Sequence, residues 1–177
     1  MKYILEPVKI VFFALLIVIP IRYFLFQPFI VRGASMEPSF QEADYLIVDQ
    51  ISYRFREPKR GEVIVFRYPN DPQKMHIKRI IGLPGEEVVI DGENIYIIME
   101  DEREPLVEEY IPRARELGSE EIKLREDEYF VMGDNRTSSV DSRTWGSLPE
   151  ENIIGRVIIQ VSPFETLRWV GAPEYSQ

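Results

Sequence analysis

Residues 61–98 read GEVIVFRYPNDPQKMHIKRIIGLPGEEVVIDGENIYII. The stretch consists of short runs rich in Val, Ile, Phe and Tyr, separated by turn residues. GEVIVFRY is bounded by Gly61 and by Pro69-Asn70. MHIKRIIG alternates and stops at the Gly/Pro turn GLPGE. In EEVVIDGENIYII, Asp91-Gly92 stands between two apolar runs, a hairpin signal. Working outward, DYLIVDQI (44–51), EYFVMGD (128–134) and NIIGRVIIQVS (152–162) are runs of the same kind. Short strands with frequent turns predict an antiparallel, mainly β domain.

Two regions break this pattern. Residues 100–128 hold twelve acidic and five basic side chains with little apolar period, and read as a solvated surface excursion. Within it, EEYIPRARELGSEE is compatible with a short helix. At the amino end, Ile10–Ile21 carries no charge and the apolar character resumes after Arg22 as far as Val31. From Val8 to Phe26 is about nineteen residues, enough at about 1.5 Å per residue to cross a core of about 30 Å. Lys2 and Lys9 favour a cytoplasmic amino terminus, while Arg22 and Arg32 oppose it. We expect a cytoplasmic stub and single transmembrane anchor over 1–28, a β domain over 29–171 and a tail over 172–177. The alternative, a leader cut after Gly33, would leave Ser35 in a frayed terminus.

Composition narrows the chemistry. The 177 residues can bury one good core. A net charge of −9 argues against nucleic acid as a partner. With no cysteine and one histidine, thiol catalysis and Cys- or His-built metal cages are excluded, and no cofactor or metal is expected.

Directly beyond the apolar segment stands VRGASMEPSF, residues 31–40. Ser35 lies there in a turn that Gly33 and Pro38 prevent from extending a helix. A serine hydroxyl becomes a nucleophile only with a base within about 3 Å. His76 and Lys78 both offer one, and both lie on one face of the run MHIKRIIG because strand side chains alternate. A lysine facing an apolar pocket loses hydration and its pKa falls towards neutrality. The third stretch, GDNRTSSVDSRTWG (133–146), is rich in hydroxyls and paired charges. Asp134, Asn135 and the serines suit a loop held by side-chain-to-backbone bonds, and Asp141 and Arg143 suit an ion pair. Ser138 or Ser139 offers a hydroxyl to orient an amine.

In family order, RYFLFQPFIVRGASMEPSF, RGEVIVF, HIKRIIGLPGE and MGDNRTSSVDSRTWG resemble the type I signal peptidases. These are membrane-bound Ser–Lys endopeptidases that remove signal peptides from exported proteins. The resemblance covers the anchor through about Val161. It implies an antiparallel, barrel-like β catalytic domain, related to that of LexA-type regulators, outside the membrane and preceded by one transmembrane helix. It implies Ser35 as nucleophile, Lys78 as neutral general base and Ser139 as the hydroxyl orienting the lysine. Asp134, Arg79, Asp141 and Arg143 match positions that brace the site, and the Ser35 N–H is the implied oxyanion donor. Met36 and His76 are expected to touch substrate, and a surface around Phe29, Met36 and Trp145 to meet the lipid interface. The implied partners are preprotein signal peptides, the lipid bilayer and the Sec or Tat export machinery.

Departures from the family pattern are Gly33, where some members place a hydroxyl for the oxyanion hole, and Thr137-Ser138, where an acidic residue and asparagine are common. The short loop before GDNR implies a compact form without a large accessory domain. Two rival readings stand: a membrane-anchored, non-enzymatic β domain that scaffolds export, and a LexA-type self-cleaving regulator. A Ser-x-x-Lys enzyme of β-lactamase type is excluded, because Pro38 stands three residues after Ser35.

Overall fold

The computed structural model describes residues 9–16, 26–99, 102–111, 117–162, 167–173 and 175. The chain is mainly antiparallel β. One sheet runs β1 (Phe26–Ile30), β2 (Tyr45–Asp49), β11 (Ile153–Val161), β3 (Val63–Tyr68), β4 (Asp71–Gly82), β9 (Glu128–Met132) and β10 (Leu148–Pro149), with β12 (Arg168–Trp169) added on β11. A second, four-stranded sheet runs β7 (Glu102–Pro105), β6 (Asn94–Met99), β5 (Glu87–Asp91) and β8 (Ser119–Lys123).

The VIVF run of β3 is continuous because both faces are covered. Val63 and Val65 join Val31, Met36, Phe40, Leu46, Val48 and Val157 in one core. Ile64 and Phe66 point the other way, into a core with Ile80, Tyr129, Val131 and Leu148. The second sheet closes a third core, in which Val88, Ile90, Ile95 and Ile97 pack on Ile81, Phe130 and Met132 of β4 and β9. The Asp91-Gly92 signal holds: Asp91 pairs with Asn94, and Gly92 takes the positive φ of 61° that such a turn requires.

β4 positions the site. From Asp71 to Arg79 it pairs with β3, but only from Arg79 onward does β9 cover its other edge, Arg79 opposite Met132. The edge from Asp71 to Lys78 therefore faces an opening. Among the described residues β1 likewise pairs on one side only, with β2.

The surface-excursion reading of 100–128 needs correction. β7 is exposed throughout, but β8 pairs with β5 along its whole length. Leu106, Leu117 and Ile122 pack on the third core, and Leu124 lies inside it. The short helix expected within 108–121 is not found among the described residues, where 119–123 is a strand; 112–116 lie outside them. The expected span from Val8 to Phe26 lies partly outside the described residues, which include helical residues 9–16 but not 17–25. Among the described residues no helix is long and apolar enough to cross a membrane. Phe26 itself, the expected end of the span, is already paired with Asp49 in β1.

Candidate active site

Ser35 sits in a tight turn immediately after β1. Gly33 has φ of 82° with open space around its α-carbon, so the residue is needed for backbone conformation rather than for room. The turn is closed by Glu37 N–H donating to Ala34 O at 3.2 Å and Phe40 N–H to Met36 O at 2.9 Å. Met36 and Phe40, at 0% and 1% exposure, anchor it in the core. Met36 is thus a packing residue and does not face substrate, contrary to expectation. Trp145 is half-buried, its ring packed at 5.9 Å from Phe66 and 5.8 Å from Tyr68.

Lys78 reaches the turn from the free half of β4. Its Nζ lies 2.8 Å from Ser35 Oγ and donates to Ile77 O at 2.9 Å. The residue is 4% exposed and has no carboxylate partner among the described residues, so burial disfavours the ammonium. Desolvation lowers its pKa to about 8, against the smaller opposing pull of Asp141 and Asp134. At pH 7 roughly one amine in ten is therefore uncharged, a few hundred times more than for an ordinary lysine.

The two groups border a cleft of about 780 Å³ running between β1 and the free edge of β4. Phe29, Val31, Leu46, Val65 and Ile77 make its floor apolar, and Met75, Ser138 and Val140 stand at its rim. His76 also borders it but is occupied otherwise, stacked on Tyr68 at 4.8 Å and edge-on to Phe66 at 6.0 Å. Burial and the nearby Lys78 charge lower the His76 pKa, so it is uncharged at neutral pH.

The loop 133–143 holds the Ser35 turn from behind. Asn135 N–H donates to Ser35 O at 3.1 Å and Asn135 Nδ2 to Ala34 O at 3.0 Å. Gly133 allows this approach: a side chain there would stand 2.4 Å from Ser35 O and 2.2 Å from Ser139 Oγ. The loop in turn is fixed by three ion pairs. Asp134 takes Arg79 Nε and Nη2 at 2.9 and 2.6 Å, and Arg79 Nη1 reaches Gly61 O at 2.8 Å. Asp141 accepts from Arg143 Nε and Nη2 and from Gly133 N–H. Arg136 grips Glu108 with both amino groups and donates from Nε to Gly133 O. Although burial opposes it, Asp134 keeps the Arg79 pKa raised. Arg79 stays a fixed cation beside the readily deprotonated Lys78.

The expected braces Arg79, Asp134, Asp141 and Arg143 thus converge on one loop. Ser139 differs from expectation in its bonding: its hydroxyl is buried beside Gly133 and has no hydrogen-bond partner among the described residues. Sequence reasoning missed Glu108, Tyr110, Arg136 and Ser142. Ser142 Oγ accepts from Val131 N–H at 3.0 Å, and the Tyr110 ring lies 4.2 Å under the Arg79 guanidinium. For Arg136 and Ser142 the signal was present, since both lie inside the GDNR segment.

A family profile described as signal peptidase, peptidase S26, matches residues 4–162. The chain is 41% identical over 167 residues to a probable signal peptidase I-2 of Synechocystis, covering 90% of this chain and 73% of that protein. It is 37% identical over 180 residues to a signal peptidase I of Leptolyngbya laminosa, covering 96% of this chain and 85% of the relative. A crystal structure of a signal peptidase I from Enterococcus faecalis aligns at a TM-score of 0.48 and 27% identity, over 57% of this chain and 97% of that one.

Proposed function

Since the chain belongs to the signal peptidase family, peptidase S26, we propose that Ser35 and Lys78 are the pair through which it works. The family's activity is cleavage of signal peptides from preproteins by a serine peptidase, and that activity is this chain's. The observation that carries the dyad is the 2.8 Å contact between Lys78 Nζ and Ser35 Oγ, with the amine hidden from solvent.

In the neutral pair the Ser35 O–H donates to the Lys78 lone pair while one amine hydrogen remains on Ile77 O. As Ser35 Oγ attacks the scissile carbonyl, Lys78 takes its proton, and the ammonium then protonates the leaving amine. The Ser35 N–H is the main-chain donor nearest the developing oxyanion. Water deprotonated by the same lysine cleaves the acyl-enzyme. A preprotein segment would lie extended between the two free strand edges, adding backbone hydrogen bonds to β1 or β4. The apolar cleft floor would take small side chains beside the scissile bond. Asp134, Arg79, Asp141 and Arg143 act as braces.

We place the cleft on the extracytoplasmic side of the membrane, tethered by the apolar segment before β1 in a single pass, with lipid and the Sec or Tat machinery as neighbours.

The test is incubation with a preprotein and sequencing of the new amino terminus. Ser35→Ala and Lys78→Ala should each abolish cleavage while leaving a folded domain. Near-normal processing by Lys78→Ala would refute the dyad.

A further inference from the structure

The segment after β12 does not trail off. Gly61, whose carbonyl receives Arg79 Nη1, is covered so closely that an added β-carbon would lie 2.7 Å from the Tyr175 ring and 2.8 Å from Pro173 Cδ. Tyr175 also meets Tyr110 edge to face, with ring centroids 6.5 Å apart. Tyr110 carries the Arg79 guanidinium 4.2 Å above its ring and donates its hydroxyl to Glu108, the partner of Arg136. Arg79 and Arg136 then fix Asp134 and Gly133, and Asn135 fixes Ser35. Pro173, Tyr175 and Tyr110 do not line the cleft, so their route to the chemistry is through the brace.

We propose that Pro173 and Tyr175 form a strap that, through Tyr110, clamps the Arg79–Asp134 brace and so positions Ser35 against Lys78. Tyr175 is a positioning residue: it packs on two aromatic and backbone surfaces and touches no reacting atom. The work is done by the ring, because the two phenol oxygens are 3.4 Å apart, a long contact. The inference rests on the Ser35–Lys78 reading and adds the element that holds it in register.

The test uses the full chain, with steady-state cleavage of a preprotein and thermal melting measured in parallel. Tyr175→Ala should lower kcat at least tenfold with KM within twofold, while the protein remains folded at the assay temperature. The midpoint of the rising pH–rate limb should move upward, because a loosened site admits water to Lys78 among its charged neighbours Asp134, Asp141 and Arg79. Tyr175→Phe should restore at least half of kcat. Wild-type kcat and pH midpoint in Tyr175→Ala would overturn the strap, as would a loss accounted for entirely by the unfolded fraction. If the alanine variant does not fold, Tyr175→Leu is judged by the same criteria. The underlying dyad fails separately: active Lys78→Ala refutes it whatever Tyr175 does, whereas inactive Lys78→Ala with unaffected Tyr175→Ala refutes only the strap.

Discussion

Lys78 and Arg79 are consecutive on β4 and nearly equally hidden, 4% and 5% exposed, yet their surroundings are opposite. On the cleft face the amine finds a hydroxyl and a carbonyl but no carboxylate. On the other face the guanidinium is held bidentate by Asp134, backed by the Gly61 carbonyl and laid over Tyr110. One buried cation is compensated and stays charged; the other is left uncompensated and gives up its proton at about pH 8 instead of 10.5. The contrast teaches that burial alone decides nothing. What sits within hydrogen-bond reach determines whether the same desolvation yields a strut or a base.

The comparison can be broken most directly by removing the option of neutrality. Lys78→Arg retains the stem but never deprotonates, so cleavage should fall by about 10²–10⁴-fold, the usual worth of a general base. Cleavage rates of the purified variant check this, and activity near wild type would show that no neutral base is needed at that position. Next in size, Asp134→Ala leaves the Arg79 charge buried without its partner. It should cost about 3–5 kcal/mol in a denaturant titration; a cost below 1 kcal/mol would mean that water replaces the carboxylate freely.

Lys78→Met should do the reverse on the cleft face and stabilise the fold. The folded-state pKa of about 8 lies below the ordinary 10.5, so the native state resists protonation. At one pH unit per 1.36 kcal/mol, that gap costs the wild type about 3 kcal/mol at neutral pH. The penalty is complete below pH 8 and disappears as pH rises to 10.5, so the two proteins' stabilities should converge across that window. A constant difference would show that packing, not ionisation, is responsible. The smallest effect belongs to the edge of the second sheet. Glu104→Lys on fully exposed β7 should leave stability within about 0.5 kcal/mol and cleavage within about twofold.

The β architecture and the meeting of Ser35 with Lys78 were legible because their signals are local. Alternation and turn residues mark β3 to β6 one after another, and the Ser35, Lys78 and Asp134 segments keep their order and spacing. The braces contributed by Glu108 and Tyr110 were not legible. They stand in an acidic stretch whose strand β8 has Ile122 as its single apolar residue, so no period shows. Their role depends on pairings with Arg136 and Arg79 across 28 and 31 positions, which no local pattern encodes. Met36 misled for the opposite reason. Adjacency to the nucleophile suggested contact with substrate, but the turn that exposes Ser35 rotates its neighbour inward.

The grip of Asn135 on Ala34 spans 101 positions of chain, and the Lys78–Ser35 contact spans 43. A polypeptide still emerging from synthesis owns its hydroxyl early, its amine later and the loop that aligns them only near completion. The pairing of Ser35 with Lys78 thereby waits on chain made long after the hydroxyl itself.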